Sequence, residues 1–401
     1  MKKFLPIFCL FILFAIDINA QKPYVILVSF DGFRWDYLSR NISPNLEKIR
    51  EDGVSALSLR PTFPSKTFPN HISIITGMYP SHHGIILNNF RDPWGKITYK
   101  MSDTNTTREG RWYLGEAFWE TAERQGIISA SYFWPGSEIL LSYRRPTYNE
   151  KYVHTRPYET RVDGVINWLK LPQNKRPHFI TAYFHETDTQ GHDFGPNSPQ
   201  LNDAIKRLDG IAGYLFKKLD EIKMRDSVDV IILSDHGMTD VSNQRIINTE
   251  KIIDDPSCKI YDDGPVQLID APKNKINSVY ASLKKNENHY KVYLRDEVPQ
   301  YFHFSDSPFI SPVVVIADPG WTLITNKAGE WLDKQKGNHG YDNNQLDMHG
   351  IFLATGPDFK KGYRTGTLWN VDIYPLLCKI FGIYPRTNID GKLERIEFIL
   401  N

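Results

Sequence analysis

The sequence predicts an α/β protein in which helices cover both faces of a mostly parallel central sheet. Its 401 residues, 41% hydrophobic and 24% charged, suffice for one large globular domain or two ordinary ones. Several short runs are almost wholly apolar, as is typical of strands buried on both faces of a parallel sheet. A long amphipathic helix pattern lies between two of these runs, which completes the α/β pattern.

Five apolar runs are the predicted core strands. They are YVILVSF (24–30), HFITAYF (178–184), VDVIILS (228–234), PVVVIA (312–317) and GIFLAT (350–355). The helix begins with Ser198 as a cap followed by Pro199, and its apolar residues recur at steps of three and four up to Ile222. Functional residues of such sheets gather just past the carboxyl ends of the strands, so the candidate site is sought there.

The domain organisation is predicted to be simple. No repeat or Gly/Ser linker interrupts residues 22–401, which we interpret as one catalytic domain. Residues 240–312 contain shorter pieces, GPVQLIDAP, INSVYASLKK and YKVYLRDEVP, which predict a small β-α-β subdomain inserted before the last core strands. The stretch 88–160 is rich in aromatic and turn residues and is expected to form the rim of a pocket.

Residues 1–20 have the pattern of a secretory signal peptide. Two lysines precede an apolar run from Phe4 to Ile16, and small and polar residues follow up to Ala20. The run is shorter than the roughly 20 residues of a membrane-spanning helix. We therefore expect an exported protein, periplasmic or extracellular, with no stable membrane span; a retained anchor is the alternative.

The charge balance argues against a polyanionic partner. Lys and Arg number 48 against 47 Asp and Glu, so no strong field favours a polynucleotide or an anionic membrane, and we expect a small-molecule substrate.

Cys258 and Cys378 lie outside the predicted leader, and the sequence leaves open whether they pair. Sequons begin at Asn41 and Asn105. Oligomeric state has no sequence signal.

Carboxylates and histidines follow three of the predicted strands. Singly, an Asp after a strand is most often a turn or cap residue, and a lone His is usually structural. Together these side chains predict three ligands for each of two metal ions, and the mixture of imidazole and carboxylate suits zinc. Two ions about 4 Å apart can stabilise both oxygens of a displacement at phosphorus. The candidate ligands are Asp31, Asp188, His192, Asp235, His236 and His339.

Thr67 is the candidate nucleophile. In PTFPSKTFPNHISIITG it is expected as the N-cap of a helix or one residue before it. Free amides and the positive end of the helix favour an alkoxide and a phosphate there. An ordinary helix cap is the alternative explanation of Thr67 alone.

These residues resemble the nucleotide pyrophosphatase/phosphodiesterase family of the alkaline phosphatase superfamily. The matching strings occur in the family's order and cover nearly all of the chain after the leader: SFDGFRWDYL, PSKTFPNHISIITGMYPSHHGI, YFWPGSE, HETDTQGHDFGP, LSDHGM and GNHGYDN. The resemblance implies an alkaline-phosphatase-like fold and two zinc ions. It assigns Asp31, Asp235 and His236 to one ion, Asp188, His192 and His339 to the other, and Thr67 to both catalysis and metal binding.

The resemblance also implies substrate contacts. Asn88 matches a residue that helps the backbone of Thr67 to bind a phosphate oxygen, with Asn89 as the alternative by one position. Phe68, Trp134 and Tyr152 match positions that sandwich a nucleobase, for which aromatic faces are suited; simple packing is the alternative for Trp134 and Tyr152. His349, in DMHG, is interpreted as structural.

The implied function is hydrolysis of phosphodiester or pyrophosphate bonds of nucleotides, releasing nucleoside 5′-monophosphate through a covalent phosphothreonine intermediate. A metal-dependent phosphomonoesterase, a lipid-headgroup phosphodiesterase and a non-enzymatic binding protein are the alternatives. A monoesterase needs an additional arginine or third metal, and neither is found near Thr67 in the sequence. A sulfatase is disfavoured because its C/S-x-P-x-R motif is missing from the sequence.

Overall fold

The structure is a computed structural model that describes residues 22–327 and 331–401, so the predicted signal peptide lies outside the described residues. The strands are β1 (Tyr24–Phe30), β2 (Val54–Ala56), β3 (Leu59–Arg60), β4 (Asn89–Arg91), β5 (Thr98–Lys100), β6 (Ser129–Tyr132), β7 (Tyr148–Glu150), β8 (Phe179–Phe184), β9 (Val228–Leu233), β10 (Thr239–Asp240), β11 (Ile246–Asn248), β12 (Lys259–Tyr261), β13 (Val266–Asp270), β14 (Tyr290–Leu294), β15 (Val313–Ala317), β16 (Thr322–Ile324), β17 (Gly337–Asn338), β18 (Phe352–Thr355), β19 (Tyr363–Thr365) and β20 (Leu368–Trp369). The α-helices are α1 (Pro44–Asp52), α2 (Thr67–Thr76), α3 (Pro80–His83), α4 (Thr104–Thr107), α5 (Phe118–Arg124), α6 (Tyr158–Leu169), α7 (Glu186–Phe194), α8 (Pro199–Glu221), α9 (Thr249–Ile253), α10 (Ile276–Lys285), α11 (Trp331–Lys334) and α12 (Ile373–Phe381).

The central sheet has the strand order β19-β2-β18-β9-β1-β8-β6-β7. β1 is parallel to both β8 and β9, and β6 is parallel to β8 and β7. This confirms the mostly parallel sheet, with three of the predicted core strands at its centre. The strand predicted at 350–355 belongs to the sheet but is antiparallel to both of its neighbours, β9 and β2. The apolar side chains of this strand show that both of its faces are buried, but they do not show whether it runs parallel or antiparallel to its neighbours.

A second sheet has the order β12-β13-β15-β14 and is antiparallel throughout. The predicted core strand at 312–317 is β15 of this sheet, so its assignment to the central sheet was wrong. β13, α10 and β14 form the expected β-α-β unit, with β15 between its two strands. The domain limits, one catalytic domain over 22–401 with 240–312 inserted, stay predictions.

Helices cover both faces of the central sheet, as predicted. Ile26 and Val28 of β1 pack in one apolar cluster with residues of α6 and α8. The alternate residues Val25 and Leu27 pack in another cluster with residues of α5 and α12. The Oγ atom of Ser198 accepts a hydrogen bond from the backbone of Leu201, which caps α8 where the sequence places it.

Two further expectations have outcomes in the structure. Cys258 and Cys378 are both free thiols, so they do not pair. Among the described residues, no helix has the length and apolar character needed to cross a membrane.

Candidate active site

The predicted ligands meet at one edge of the central sheet. Asp31 follows β1, Asp235 and His236 follow β9, and helix α7 follows β8. Because β8, β1 and β9 are adjacent and parallel, their carboxyl ends lie side by side.

The turn after β1 lets helix α7 approach closely. Gly32 has φ of 67°, in the left-handed region that glycine tolerates best. A β-carbon at position 32 would lie 2.8 Å from the α-carbon of Asp188. The lack of a side chain at Gly32 therefore permits Asp188 to lie directly beside Asp31.

One group of candidate ligands consists of Asp188, His192 and His339. Asp188 and His192 are one helical turn apart in α7, with Oδ1 of Asp188 3.3 Å from Nε2 of His192. His339 follows the short strand β17, and its Nε2 lies 3.2 Å from Nε2 of His192 and 3.5 Å from Oδ1 of Asp188. This is the second zinc triad implied by the family resemblance.

The other group is centred on His236. Its Nε2 lies 3.2 Å from Oδ1 of Asp31 and 3.1 Å from Oδ2 of Asp235, and all three side chains are buried. The rings of His236 and His339 are stacked with centroids 3.5 Å apart. The two triads therefore adjoin, and ligand atoms of Asp31, Asp188 and His236 also lie within 4.8 Å of one another.

The histidines have the orientation of metal ligands. Nδ1 of His192, His236 and His339 each lies 2.8 to 2.9 Å from a backbone carbonyl oxygen, of Gly337, Gly237 and Ser65 respectively. A carbonyl accepts only, so each Nδ1 carries a proton, and in the neutral imidazole Nε2 is then the atom with a lone pair for a metal ion. Burial and the neighbouring His236 lower the pKa of His339, which favours the neutral imidazole that binds metal.

The carboxylates also fit a bound cation. Within the described part of the chain, Oδ1 of Asp31, Oδ1 of Asp188 and Oδ2 of Asp235 are buried and lack a hydrogen-bond partner. Burial, with the nearby carboxylates of Asp235 and Asp188, raises the pKa of Asp31 to about 7. Burial lowers the pKa of His236, but Asp235 and Asp31 outweigh it and raise that pKa to about 9. A proton on His236 thus supplies positive charge that a metal ion would supply instead.

Thr67 adjoins this cluster. It is the first residue of α2, after Lys66 as N-cap, so the expected position as N-cap or one residue earlier was wrong by a residue or two. Its hydroxyl does not cap the helix: Oγ1 lies 3.1 Å from Nε2 of His236. The helix-cap explanation of Thr67 therefore does not hold, and the free amides of the first turn of α2 remain available to an anion.

A cavity of about 380 Å³ opens onto Thr67 and the ligands. This volume is in the range of small-molecule sites. Its lining is aromatic and polar, and includes Asp31, Thr67, Phe68, Met101, Arg108, Tyr113, Phe133, Trp134, Glu138, Tyr152, His154, Tyr183, His185 and Asp188.

Phe68, Tyr152 and Trp134 all line this cavity but differ in what they offer a ligand. Tyr152 is 43% exposed, and its hydroxyl lies 2.9 Å from Nδ1 of His154. Trp134 is only 2% exposed, and its indole N–H donates to the carbonyl oxygen of His71. Trp134 therefore offers a ligand much less free surface than Tyr152, and its stacking role stays a prediction.

The two asparagines at positions 88 and 89 are distinguished by their contacts. Asn89 donates from Nδ2 to Oδ1 of Asp262 at 3.0 Å. Oδ1 of Asn88 is buried and, among the described residues, has no hydrogen-bond partner. Asn89 is thus engaged with Asp262, whereas the role of Asn88 in binding a phosphate oxygen stays a prediction.

His349 lies outside the cluster, as predicted. Its ring bonds Oγ of Ser58 and the carbonyl of Asn343 at 2.9 and 3.0 Å.

Sequence reasoning missed two residues that contact the candidate ligands. Tyr183 donates from its hydroxyl to Oδ2 of Asp31 at 2.5 Å, and His71 lies 3.3 Å from Asp235. For Tyr183 the sequence showed only that it belongs to a buried strand. His71 could have been suspected, because it follows Thr67 by four residues and so lies on the same face of the same helix.

Comparison with known proteins identifies the class. A family profile described as Type I phosphodiesterase / nucleotide pyrophosphatase matches residues 25–342. The chain belongs to this family, which confirms the predicted family and enzyme class.

Individual relatives agree with this assignment. The chain is 37% identical to a bis(5′-adenosyl)-triphosphatase of Xenopus laevis, over 95% of this chain and 82% of the relative. It is 34% identical to human ectonucleotide pyrophosphatase/phosphodiesterase family member 5, over 97% and 80% respectively. Murine ectonucleotide pyrophosphatase/phosphodiesterase 5, solved as an inactive threonine-to-alanine variant with AMP, superimposes with a TM-score of 0.90 at 33% identity, over 95% of this chain and 100% of the murine one. The alkaline-phosphatase-like fold class is thereby confirmed.

Proposed function

We propose that this protein is a two-zinc hydrolase that cleaves phosphodiester or pyrophosphate bonds of nucleotides and releases nucleoside 5′-monophosphate. The observation that carries the proposal is the position of the Thr67 hydroxyl, 3.1 Å from Nε2 of His236. The same Nε2 lies 3.2 and 3.1 Å from carboxylate oxygens of Asp31 and Asp235. A hydroxyl in contact with a metal-binding group is the arrangement of an activated nucleophile.

Zinc is proposed because of the donor set. Three imidazoles and three carboxylates, without a thiol, suit zinc better than calcium or magnesium, which prefer oxygen ligands alone. Asp31, Asp235, His236 and Thr67 would hold one ion, and Asp188, His192 and His339 the other. Bound there, the ions would lower the pKa of the Thr67 hydroxyl and neutralise charge on the phosphate.

Thr67 makes and breaks the covalent bond in the proposed reaction. Its Oγ1 bonds to phosphorus while the bond from phosphorus to the leaving phosphate or alcohol breaks on the opposite side. The resulting phosphothreonine ester carries the nucleoside. Water then adds to phosphorus, the bond to Oγ1 breaks, and the nucleoside monophosphate leaves with the threonine hydroxyl restored. We propose that the amides at the start of α2 and the side-chain N–H of Asn88 donate to a non-bridging oxygen.

Nucleotide substrates are proposed from the cavity and the relatives. Phe68 and the half-exposed ring of Tyr152 line the cavity that opens onto Thr67. Aromatic faces can stack on any of the nucleobases. One relative is named for a dinucleoside triphosphate, and the murine relative holds AMP.

Export is proposed from the leader pattern at residues 1–20, and a cell-fractionation experiment on the tagged full chain tests it.

The experiment is a comparison of Thr67→Ala with Thr76→Ala on a nitrophenyl ester of a nucleoside monophosphate. Thr76 lies at the other end of α2, where its hydroxyl bonds the carbonyl of Ile72. We expect Thr67→Ala to lower kcat by at least about 1000-fold, about 4 kcal/mol of transition-state stabilisation, while both variants keep two zinc ions. Acid quenching of the wild type should yield a peptide containing Thr67 with the mass of one added nucleoside monophosphate. Near-normal turnover by Thr67→Ala would contradict the mechanism.

A further inference from the structure

His71 lies one helical turn after Thr67 in α2, and its side chain is fully buried. Nδ1 lies 2.9 Å from the carbonyl oxygen of Thr67 and 3.3 Å from Oδ2 of Asp235. Nε2 lies 2.8 Å from Oγ of Ser29. The imidazole therefore joins helix α2, strand β1 and the loop after β9, three elements that meet at the candidate active site.

The contacts show that His71 is not itself a ligand. Both atoms near Nδ1, a carbonyl oxygen and a carboxylate oxygen, accept hydrogen bonds, so Nδ1 carries the proton. Nε2 is directed at the hydroxyl of Ser29, away from the other candidate ligands. Although ligand atoms of Asp31, His71 and Asp235 lie within 4.8 Å of one another, His71 has no free lone pair for an ion. It acts on the site through Asp235.

The ring of His71 is held on both sides. It packs edge to face against Trp134 and Tyr183, with centroid distances of 4.9 and 5.3 Å. Trp134 also donates from its indole N–H to the carbonyl oxygen of His71 at 3.1 Å. These contacts prevent the imidazole from turning away from Asp235.

We propose that His71 is a positioning residue that fixes the carboxylate of Asp235 relative to the hydroxyl of Thr67. The same proton of Nδ1 faces the backbone of the nucleophile and the carboxylate of the ligand, so one ring sets the separation of the two. Outer partners of this kind orient metal ligands, and their loss typically lowers metal affinity 10- to 100-fold. The inference rests on the zinc binding of the proposed function, and only its catalytic part rests on the proposed reaction.

Two substitutions separate the two ends of the ring. His71→Asn places an amide N–H near the position of Nδ1 and loses the contact with Ser29. His71→Gln places an amide near the position of Nε2 and loses the contact with Asp235. We expect His71→Gln to lower zinc affinity and kcat 10- to 100-fold with KM unchanged. His71→Asn, which loses only the contact with Ser29, should lower both only several-fold.

His83→Gln is the matched control. His83 is also fully buried, and its Nε2 lies 3.0 Å from Oγ of Ser73, away from the ligands. This variant should lower the melting temperature as His71→Gln does, but keep zinc affinity and kcat. Zinc affinity is measured by competition with a chromogenic chelator, which needs no substrate.

The results that overturn the inference are specific. They are wild-type zinc affinity in His71→Gln, equal losses in His71→Asn and His71→Gln, or an equal loss of zinc affinity in His83→Gln. If His71→Gln does not fold, Ser29→Ala removes the partner of Nε2 with little change in volume. A several-fold loss of zinc affinity in Ser29→Ala supports the inference, and an unchanged affinity overturns it. A wild type that binds two zinc ions but hydrolyses no nucleotide ester would refute the proposed function alone.

Discussion

Oδ1 of Asp188 lies 3.5 Å from Nε2 of His339, although one residue belongs to helix α7 and the other follows strand β17. The short antiparallel pair of β10 and β17 brings His339 to this position. The candidate metal centre is therefore built by the carboxyl ends of the central strands together with a late segment of the chain.

Removal of His339 should empty one metal position. We expect His339→Ala to retain about one zinc ion per chain instead of two and to lose more than about 100-fold in kcat, because one ion no longer opposes the other across the phosphate. Metal content by mass spectrometry and steady-state kinetics measure this. His289→Asn, at an exposed histidine that stacks on Trp321, should change neither quantity. Two zinc ions in His339→Ala would show that the ligand assignment is wrong.

Tyr152 and Trp134 should differ in what they contribute. Because Tyr152 is exposed in the cavity and Trp134 is buried, Tyr152→Ala should raise KM for nucleotide esters about tenfold, the cost of one lost stacking contact. It should leave hydrolysis of bis-nitrophenyl phosphate, which has no base, unchanged. Trp134→Phe should instead lower the melting temperature, since it loses the bond to the carbonyl of His71. An equal rise of KM for both substrates in Tyr152→Ala would refute a stacking role.

Gly32→Ala should damage the metal centre through Asp188. The new β-carbon would lie 2.8 Å from the α-carbon of Asp188, so helix α7 must shift. Gly382→Ala is the control, because Gly382 also has positive φ but a β-carbon added there would meet no atom within 4 Å. Both variants should lose about 1 kcal/mol of unfolding free energy from backbone strain, and only Gly32→Ala should lose zinc affinity in chelator competition. Unchanged zinc affinity in Gly32→Ala would contradict this account.

His349 should make the fold sensitive to acid. Burial lowers the pKa of His349 from 6.5 to about 4, so the folded protein keeps it neutral while the unfolded chain takes up a proton below pH 6.5. Stability is therefore lost as pH falls from 6.5 toward 4. Between pH 7.5 and 5.5 this one histidine should contribute a loss on the order of 1 kcal/mol.

Urea unfolding of wild type and His349→Gln at both pH values measures this contribution. Each is studied with zinc removed, so that metal release does not enter the comparison. The wild type should lose on the order of 1 kcal/mol more unfolding free energy than the variant between the two pH values. Equal losses would show that His349 is accessible to protons in the folded state.

Sequence reasoning located the ligands that follow strands. Asp31, Asp188 and Asp235 could be placed at one edge because parallel strands end together. His339, in GNHGYDN, was a candidate ligand that no predicted strand placed at this edge, since its position depends on the pairing of the two-residue strands β10 and β17. His71 was missed because a histidine on a buried helix face is usually structural, and its contacts with Ser29 and Asp235 exist only in the folded chain.

The errors in strand assignment have a common physical cause. The run at 312–317 and the run at 350–355 are both apolar because both strands are buried on two faces. Burial does not record which sheet a strand joins or in which direction it runs. Trp134 shows the same limit at the level of a side chain, since an aromatic residue beside a pocket can either face a ligand or fill the wall.

The location of His339 also has a consequence for biosynthesis. During synthesis the chain lacks this ligand until position 339 of 401 has emerged, long after Asp31 and its strand. Until then the second triad is incomplete, whereas the residues of the first triad, Asp31, Asp235 and His236, have already emerged. On the proposed two-ion mechanism an incomplete chain would lack the second ion, so we expect hydrolysis to begin only after the segment that contains His339 has packed against helix α7.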